Sequence, residues 1–167
     1  MKRFFRTLFF VAVAIVATVS ISSCCKHDEE EDNKKKNEQM SGATAEAFYN
    51  GLTSNPSRTI LIDTRSAQKY EKSHVKYKGD PVVEAISMPL TDDVFYNDNH
   101  QFYKDVEKLD SDHSKFILIT DEGSSALLLK VGGVLSGMGW SKERIYLLMN
   151  STSDFLEKYP ELDSSKQ

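Results

Sequence analysis

The sequence predicts an α/β fold in which helices cover both faces of a central parallel sheet. Two short apolar runs that contain β-branched residues, 59–62 and 116–119, are each followed by a polar loop and then by a helical segment. Runs of this length and composition are typical of buried strands. Strands that alternate with helices favour a parallel sheet with helices packed on it. We therefore expect one α/β domain over residues 43–162.

Apolar residues at helical spacing indicate where the other elements lie. We expect a first helix after Thr44, whose hydroxyl can cap its first turn, and a short second helix over residues 66–72. A third helix over residues 99–109 places one face in the core, and a last strand covers residues 144–149. An alternative is that aromatic residues of this region form a rim that reads a partner. Those aromatic residues are Phe95, Tyr96, Phe102 and Tyr103.

The helix predicted over residues 125–138 is apolar nearly all round, which favours burial. Its glycines, Gly132, Gly133 and Gly137, each cost roughly 1 kcal/mol against alanine. We expect close packing of this helix on the sheet to compensate for that cost. At the end of the chain, residues 163–167 are predicted to form a disordered tail.

The first 23 residues, 1–23, have the pattern of a bacterial lipoprotein signal peptide. A start with three cations precedes an apolar run over residues 8–19, which is too short to be a comfortable membrane span. The sequence Ile-Ser-Ser-Cys that follows resembles the lipobox, in which a small residue precedes an acylated cysteine. The resemblance implies lipidation of Cys24, and acyl chains of this kind anchor a protein stably. The alternative is an ordinary signal peptide.

Residues 24–42 are predicted to comprise the lipidated cysteine and a disordered, charged tether. The segment KHDEEEDNKKKNEQM has no apolar periodicity and contains blocks of like charge. We expect the mature protein to be exported and held by its lipid in the cell envelope, in the outer membrane of a Gram-negative bacterium. The acidic block resembles a surface-export signal, but a plain spacer fits equally well. Both the periplasmic and the surface face therefore stay open.

The cysteine count restricts the chemistry of the domain. The only cysteines, Cys24 and Cys25, lie at the predicted anchor, so the domain contains no disulfide, thiolate metal site or cysteine nucleophile. Removal of residues 1–23 takes the formal net charge from −4 to −7, and no basic cluster remains. We therefore expect no nucleic-acid partner, no metal and no cofactor.

The residues that follow the first predicted strand resemble the first signature of rhodanese-like domains. They are Asp63, Arg65, Tyr70 and His74. Ser73 stands where the family has glycine, Lys69 stands where it has glutamate, and residues 77–83 look like an insertion. The resemblance implies structural roles for all four residues. Asp63 and Arg65 are expected to tie the end of the strand together by charge-assisted hydrogen bonds.

The loop after the second predicted strand resembles the active-site loop of the same family. In one subgroup that loop reads Cys-Asp-Glu-Gly-Ser, and the cysteine holds a sulfane sulfur as a persulfide. Thr120 stands in the cysteine position here, the loop arginine is missing, and the loop is one residue short. The degenerate loop comprises Thr120, Asp121, Glu122, Gly123, Ser124 and Ser125.

The resemblance covers nearly the whole domain and implies a rhodanese-like fold with about five parallel strands. It also implies that sulfur transfer is lost, since Thr120 has no sulfur to carry. Asp121 and Glu122 are expected at the mouth of the site, the opening above the loop, where they would repel an anionic sulfur donor. We expect an inactive module that binds an envelope protein or a small ligand at the 120–125 loop. The alternative is a thiosulfate or persulfide sulfurtransferase that uses a cysteine from outside the domain.

Three further roles have weaker support from the residues. Thr120 as a nucleophile needs a base within hydrogen-bond reach, and Asp121, its neighbour on an extended loop, points away from it. Asp121 and Glu122 supply fewer oxygens than a calcium site uses. Cys25 could approach the loop on its tether, but it lies beside the residue predicted to be acylated.

Overall fold

The structure is a computed structural model that describes residues 40–167. The predictions for the signal peptide, for lipidation of Cys24 and for most of the tether lie outside the described residues. None of the helices in the described part combines the length and the apolar character that a bilayer span requires.

Four parallel strands form the central sheet, in the order β4-β1-β5-β6. The strands along the chain are β1 (Thr59–Asp63), β2 (Lys76–Tyr77), β3 (Val83–Glu84), β4 (Ile86–Ser87), β5 (Phe116–Thr120) and β6 (Ile145–Leu147). The predicted insertion forms much of a separate antiparallel hairpin of β2 and β3. The α/β prediction is confirmed, but the sheet has four strands rather than about five. A single parallel bridge between Ala43 and Leu148 stands at the edge where a fifth strand would lie.

Five helices cover the two faces of the sheet within residues 40–167. They are α1 (Ala45–Ser54), α2 (Ala67–Lys72), α3 (Gln101–Leu109), α4 (Ser125–Met138) and α5 (Thr152–Lys158). The α1 helix begins as predicted, since the hydroxyl oxygen of Thr44 accepts a hydrogen bond from the N–H of Ala47 at 3.2 Å. The α3 helix begins at Gln101, two residues later than predicted, because the Nδ1 atom of His100 caps it by accepting from the N–H of Phe102.

Successive side chains of the strands enter two hydrophobic cores on opposite faces of the sheet. On β1, Ile60 and Ile62 enter the core that α3 and α4 cover, whereas Leu61 enters the core that α1 and α5 cover. The strands β5 and β6 alternate in the same way. Because helices cover both faces, these strands are apolar throughout, which explains the continuous apolar runs in the sequence.

The aromatic residues before and within α3 divide into a buried and an exposed pair. Phe102 and Tyr103 are buried in the core, as the helical interpretation predicts. Phe95 and Tyr96 lie in and just after a 3₁₀ turn over Asp92–Phe95, and their exposed fractions are 41% and 86%. The rim interpretation therefore applies only to the exposed pair.

The fully buried residues of the α4 helix lie on one face, so the predicted burial is confirmed for that face and not for the whole helix. Its buried residues are Leu128, Val131, Gly132 and Leu135. A Cβ atom added at Gly132 would lie 2.7 Å from Cδ1 of Leu147, so this glycine permits close packing on the sheet. A Cβ atom at Gly133 or Gly137 would meet nothing within 4 Å, which means that these glycines face open space.

The C-terminal residues are ordered against the β2–β3 hairpin, contrary to the predicted disordered tail. The backbone N–H of Ser164 donates to the carbonyl of His74 at 3.0 Å, and the N–H of His74 donates to Oγ of Ser164 at 2.9 Å. The side-chain amide of Gln167 donates to the carbonyl of Lys76 at 2.8 Å. The hairpin has a short ladder, which leaves some backbone groups beside it without a partner strand. These groups form hydrogen bonds with the end of the chain.

The two adjacent glycines of α4 provide a matched test of its packing. We expect Gly132→Ala to lower the free energy of unfolding by about 1–3 kcal/mol, because the new methyl group overpacks the core. Gly133→Ala should raise it by about 0.5–1 kcal/mol, because alanine favours the helix and meets no neighbour. Urea denaturation of both variants measures the difference, and equal effects at the two positions would contradict the orientation of α4.

A second test concerns Tyr103, whose buried hydroxyl has no hydrogen-bond partner among residues 40–167. Burial, and secondarily the charge of Asp98, raises the pKa of Tyr103 to about 12. An unfolded tyrosine ionises near pH 10, so between about pH 10 and 12 the unfolded state binds fewer protons than the folded state. The free energy of unfolding should fall by about 3 kcal/mol across that window.

The variant Tyr103→Phe isolates this contribution, since other ionisations are common to both proteins. We expect it to be at least as stable as the parent at neutral pH, because it removes an unsatisfied hydroxyl. Urea denaturation in alkaline buffers should show a shallower loss of stability in the variant. Parallel curves for the two proteins would show that the Tyr103 hydroxyl is solvated in the native state.

Candidate functional site: the loop between β5 and α4

The candidate site lies at the carboxyl ends of β1 and β5, where sites of open α/β sheets are found. These strands pair in parallel, with Asp63 opposite Thr120 in the register. The two segments that leave the strands therefore run side by side. One is the turn from Asp63 to Arg65, and the other is the degenerate loop over residues 120–125.

Thr120, in the predicted cysteine position, is fully buried at the end of β5. Its hydroxyl donates a 3.4 Å hydrogen bond to the carbonyl of Ile62. Its own carbonyl accepts from the N–H of Thr64 at 2.9 Å and from the Thr64 hydroxyl at 2.8 Å. The partner of the Thr120 hydroxyl is a backbone carbonyl, which cannot remove its proton, so the part of the chain that the structure describes supplies no hydrogen-bonded base to activate Thr120 as a nucleophile.

Asp121 is buried beneath the loop, so the prediction that it lies at the mouth is wrong. One carboxylate oxygen accepts from the Thr64 hydroxyl at 3.1 Å, and the other accepts from the backbone N–H of Ser124 at 3.1 Å. Its carbonyl accepts from both the N–H and the hydroxyl of Thr152 at 2.9 Å. The N–H groups before a helix are the donors that hold a bound anion in strand–loop–helix sites. Here the N–H of Ser124 already donates a hydrogen bond to the carboxylate of Asp121.

Glu122 is the acidic residue that does reach the surface, and cations surround it. Its Oε2 atom lies 2.6 Å from Nζ of Lys69, and its Oε1 atom lies 3.8 Å from Nε of Arg65. Its side chain is 41% exposed, so solvent weakens both interactions. The mouth therefore carries an ion pair and not the two unpaired carboxylates that the sequence predicts.

The remaining loop residues turn the chain into α4. Gly123 has a φ angle of +98°, a conformation that favours glycine. Its carbonyl accepts from the N–H of Ser125 at 2.9 Å. The carbonyl of Ser124 accepts from the N–H of Leu128 at 3.1 Å, which begins the helix. Glu122, Gly123 and Ser124 form the exposed tip of the loop.

Asp63 and Arg65 form a buried ion pair beside the loop. The Nη2 atom of Arg65 lies 2.7 Å from Oδ2 of Asp63, and the side chains are 4% and 0% exposed. The Nε atom of Arg65 donates to the same carboxylate, and Nη2 also donates to the carbonyl of Ser73 at 2.5 Å. This network joins the end of β1 to the end of α2, and it places no free guanidinium at the mouth of the site.

Tyr70 and His74 form a separate cluster with Glu84. Their rings stack with centroids 4.1 Å apart, and Nε2 of His74 lies 2.8 Å from Oε1 of Glu84. Burial and the negative charge of Glu84 raise the pKa of Tyr70, while hydrogen bonds from Lys76 and His74 lower the pKa of Glu84. The partners of His74 within residues 40–167 belong to α2, β3 and the C-terminal turn, so His74 does not join the loop.

The loop offers little to a metal ion. Within residues 40–167, no group of three or more His, Cys, Asp or Glu side chains is arranged to hold a metal. Both carboxylate oxygens of Asp121 already accept hydrogen bonds, and Glu122 pairs with Lys69. Hard cations bind where several oxygens are free to converge.

Three residues of the site escaped the sequence analysis: Thr64, Lys69 and Thr152. Thr64 and Thr152 hold the loop through Asp121, and Lys69 pairs with Glu122. The parallel pairing of two neighbouring strands is a signal that could have identified Thr64, because it places the first residue after each strand side by side. Thr152 lies five residues beyond the end of β6, at the start of α5, so this argument does not identify it.

Comparison with known proteins gives structural but not sequence matches. No family model and no curated protein matches the sequence. An As-Sb reductase from Leishmania major superposes with a TM-score of 0.50 at 16% identity, covering 73% of this chain and 83% of that chain. A thiosulfate sulfurtransferase from Pseudomonas aeruginosa gives a TM-score of 0.49 at 15% identity, covering 75% of this chain and 20% of that chain. A rhodanese-like domain from Anabaena sp. gives 0.44 at 13% identity, covering 71% and 74%.

At these identities the likeness concerns the fold alone. Of the three structures, the As-Sb reductase reaches a TM-score of 0.50, and the assignment of the fold rests on this likeness. The protein is an α/β domain with a parallel sheet and a strand–loop–helix site. Its fold is rhodanese-like, as the sequence resemblance predicts.

The buried ion pair beside the loop can be tested against the exposed one. We expect Arg65→Met to lower the free energy of unfolding by about 3–5 kcal/mol, because it leaves the Asp63 carboxylate buried and unpaired. The matched variant Lys69→Met, which removes an exposed pair, should cost less than about 1 kcal/mol. Urea denaturation at neutral pH measures both values. Similar losses in the two variants would show that Asp63 is solvated or protonated without Arg65.

Proposed function

We propose that this chain is a lipid-anchored, catalytically inactive rhodanese-like module that binds a partner in the cell envelope. The binding surface is the exposed tip of the loop, residues 122–124, together with Lys69. The observation that carries this proposal is the buried hydroxyl of Thr120, which donates to the carbonyl of Ile62 where a sulfur carrier would need an accessible thiolate.

Two further contacts argue against sulfur transfer by the domain. The Asp121 carboxylate accepts from the N–H of Ser124, so a donor that entered the loop would compete with a covalently tethered anion. Arg65 is committed to Asp63 and Ser73, so its guanidinium cannot replace the missing loop arginine without breaking a buried pair.

The same contacts also favour a role of the loop in binding a partner. Thr64 and Thr152 hold Asp121 from two sides, so the exposed tip is presented in one shape. A pre-organised surface loses little conformational entropy when a partner binds. The tip offers the Lys69–Glu122 pair and the Ser124 hydroxyl, which match a polar protein surface or a small polar ligand.

The anchor rests on the sequence pattern that ends at Cys24. Its test is the membrane fraction of the producing cell. The parent protein should sediment with membranes, and Cys24→Ala should release it to the soluble fraction, because the acyl chains supply the membrane affinity. Continued sedimentation of Cys24→Ala would contradict the anchor.

The inactivity is tested by a thiosulfate-to-cyanide sulfurtransferase assay on the mature chain. We expect no turnover from the parent and none from Thr120→Cys. The loop arginine is missing, and the N–H of Ser124 already donates to Asp121, so neither group can bind the sulfur donor. A thermal unfolding curve checks that Thr120→Cys is folded. Turnover by the parent that Cys25→Ser abolishes would establish the alternative, a sulfurtransferase with a cysteine from outside the domain.

The binding surface is tested by crosslinking in intact cells. The variant Glu122→Lys reverses the charge of the exposed tip, and Val82→Lys, at a position that is 56% exposed on the β2–β3 hairpin, is the matched control. We expect Glu122→Lys alone to lose the crosslinked partner. Retention of the partner by Glu122→Lys would exclude the loop tip as the binding surface.

A further inference from the structure

The outer face of α4 contains an open groove of about 470 Å³. Its lining residues are Asp98, Lys130, Gly133, Val134, Gly137 and Met138. The two glycines leave the helix backbone uncovered, since a Cβ atom at either would meet nothing within 4 Å. Lys130 and Asp98 close one side through an ion pair of 2.6 Å. The helix therefore presents an open strip in which Val134 and Met138 supply the apolar side chains and Asp98 and Lys130 supply the polar ones.

Two exposed aromatic side chains lie on the same side of the domain. Phe95 and Tyr96 contact each other, with ring centroids 5.2 Å apart, and they are 41% and 86% exposed. The 3₁₀ turn that ends at Phe95 packs against α4, and Asp98, two residues after Tyr96, lines the groove. Exposed aromatic and apolar residues that cluster in this way mark interaction surfaces.

The chain enters the domain beside this helix. Met40, the first described residue, packs into the core under α3 and α4, and a Cβ atom at Gly132 would lie 3.0 Å from its Cε atom. Fifteen residues separate Met40 from Cys24. The tether predicted from the sequence would have a typical span of about 22 Å. The described part of the chain therefore begins on the α4 side of the domain.

We propose that the α4 face, defined as Phe95, Tyr96, Val134 and Met138, rests on the lipid surface that anchors the protein. This inference depends on the lipid anchor proposed above. Tyrosine has an apolar ring and a polar hydroxyl, and this combination suits the boundary between headgroups and acyl chains. The groove beside it leaves room for lipid headgroups along the helix.

The chemistry of the face favours a zwitterionic lipid surface. Two of its acidic residues are paired, Asp98 with Lys130 and Asp93 with His100 at 3.3 Å, whereas Asp92 in the same turn is exposed and adds a negative charge to the face. The mature chain carries a net charge of −7 once residues 1–23 are removed, so an anionic surface would repel it.

A membrane suits this small face better than a protein partner does. A stable protein interface buries at least about 1,000 Å², which two aromatic rings and a shallow groove do not offer. A lipid surface needs less, because the acyl anchor already supplies most of the membrane affinity and the tether raises the local concentration.

The test uses fluorescence in vesicles, because Trp140 is the single tryptophan of the chain and is 1% exposed. The mature acylated chain is reconstituted into phosphatidylcholine vesicles with and without bromine-labelled acyl chains, which quench nearby tryptophans. Tyr96→Trp places a reporter on the α4 face. Val82→Trp is the control, since Val82 is 56% exposed and its neighbour Val83 enters the core on the opposite face of the sheet.

We expect bromine-labelled lipid to remove roughly half of the emission of Tyr96→Trp, the part that the buried Trp140 does not supply. The parent and Val82→Trp should lose little. Unquenched emission from Tyr96→Trp in protein that sediments with vesicles would overturn the proposed contact and leave the anchor intact. A blue shift of that unquenched emission would also overturn the lipid contact, because it would place the reporter against protein, either in its own domain or in a second copy of the chain. Failure of the acylated chain to sediment would overturn both the anchor and the contact.

Discussion

The pairing of β1 with β5 is the constraint on which the rest of the site depends. All five residues of β1 pair in parallel with β5, and the register ends with Asp63 opposite Thr120. This register sets the Thr64 hydroxyl against the carbonyl of Thr120 and the carboxylate of Asp121. A slip of one residue would turn every side chain of the strand to the other core. The two cores thus fix the register of β1 against β5, and this register places the residues whose hydrogen bonds hold the loop.

The loop is a site whose polar groups satisfy one another. Asp121 accepts from Thr64, Ser124 and Thr152 through its carboxylate and carbonyl, and the hydroxyl of Thr120 finds the carbonyl of Ile62. Buried polar networks that are fully satisfied are rigid, because each unmade bond would cost the desolvation of its partner. The geometry that serves a bound anion in a strand–loop–helix site is here completed by the chain itself.

The sequence predicts where the strands and helices lie better than it predicts which residues of a helix or loop face the core. The apolar runs at residues 59–62 and 116–119 identified the central strands because both of their faces are buried. The open face of α4 was missed because Gly133 and Gly137 are neither polar nor bulky, so composition alone cannot distinguish a packed glycine from an exposed one. The direction of Asp121 was missed because it depends on Thr64, 57 residues away in the chain. The ordered tail depends on His74, which is 90 residues away from Ser164 in the chain.

The inactivity that we propose and the closure of the loop have one physical explanation. An active site must keep donors and a nucleophile unsatisfied until its substrate arrives, and this readiness lowers stability. In the inactive domain that we propose, Asp121 and Thr120 complete those bonds internally, and the satisfied bonds add stability. The tip formed by Glu122, Gly123 and Ser124 is exposed, and Thr64 and Thr152 hold the backbone beneath it. The proposed binding at the tip therefore depends on the same hydrogen bonds that close the loop beneath it.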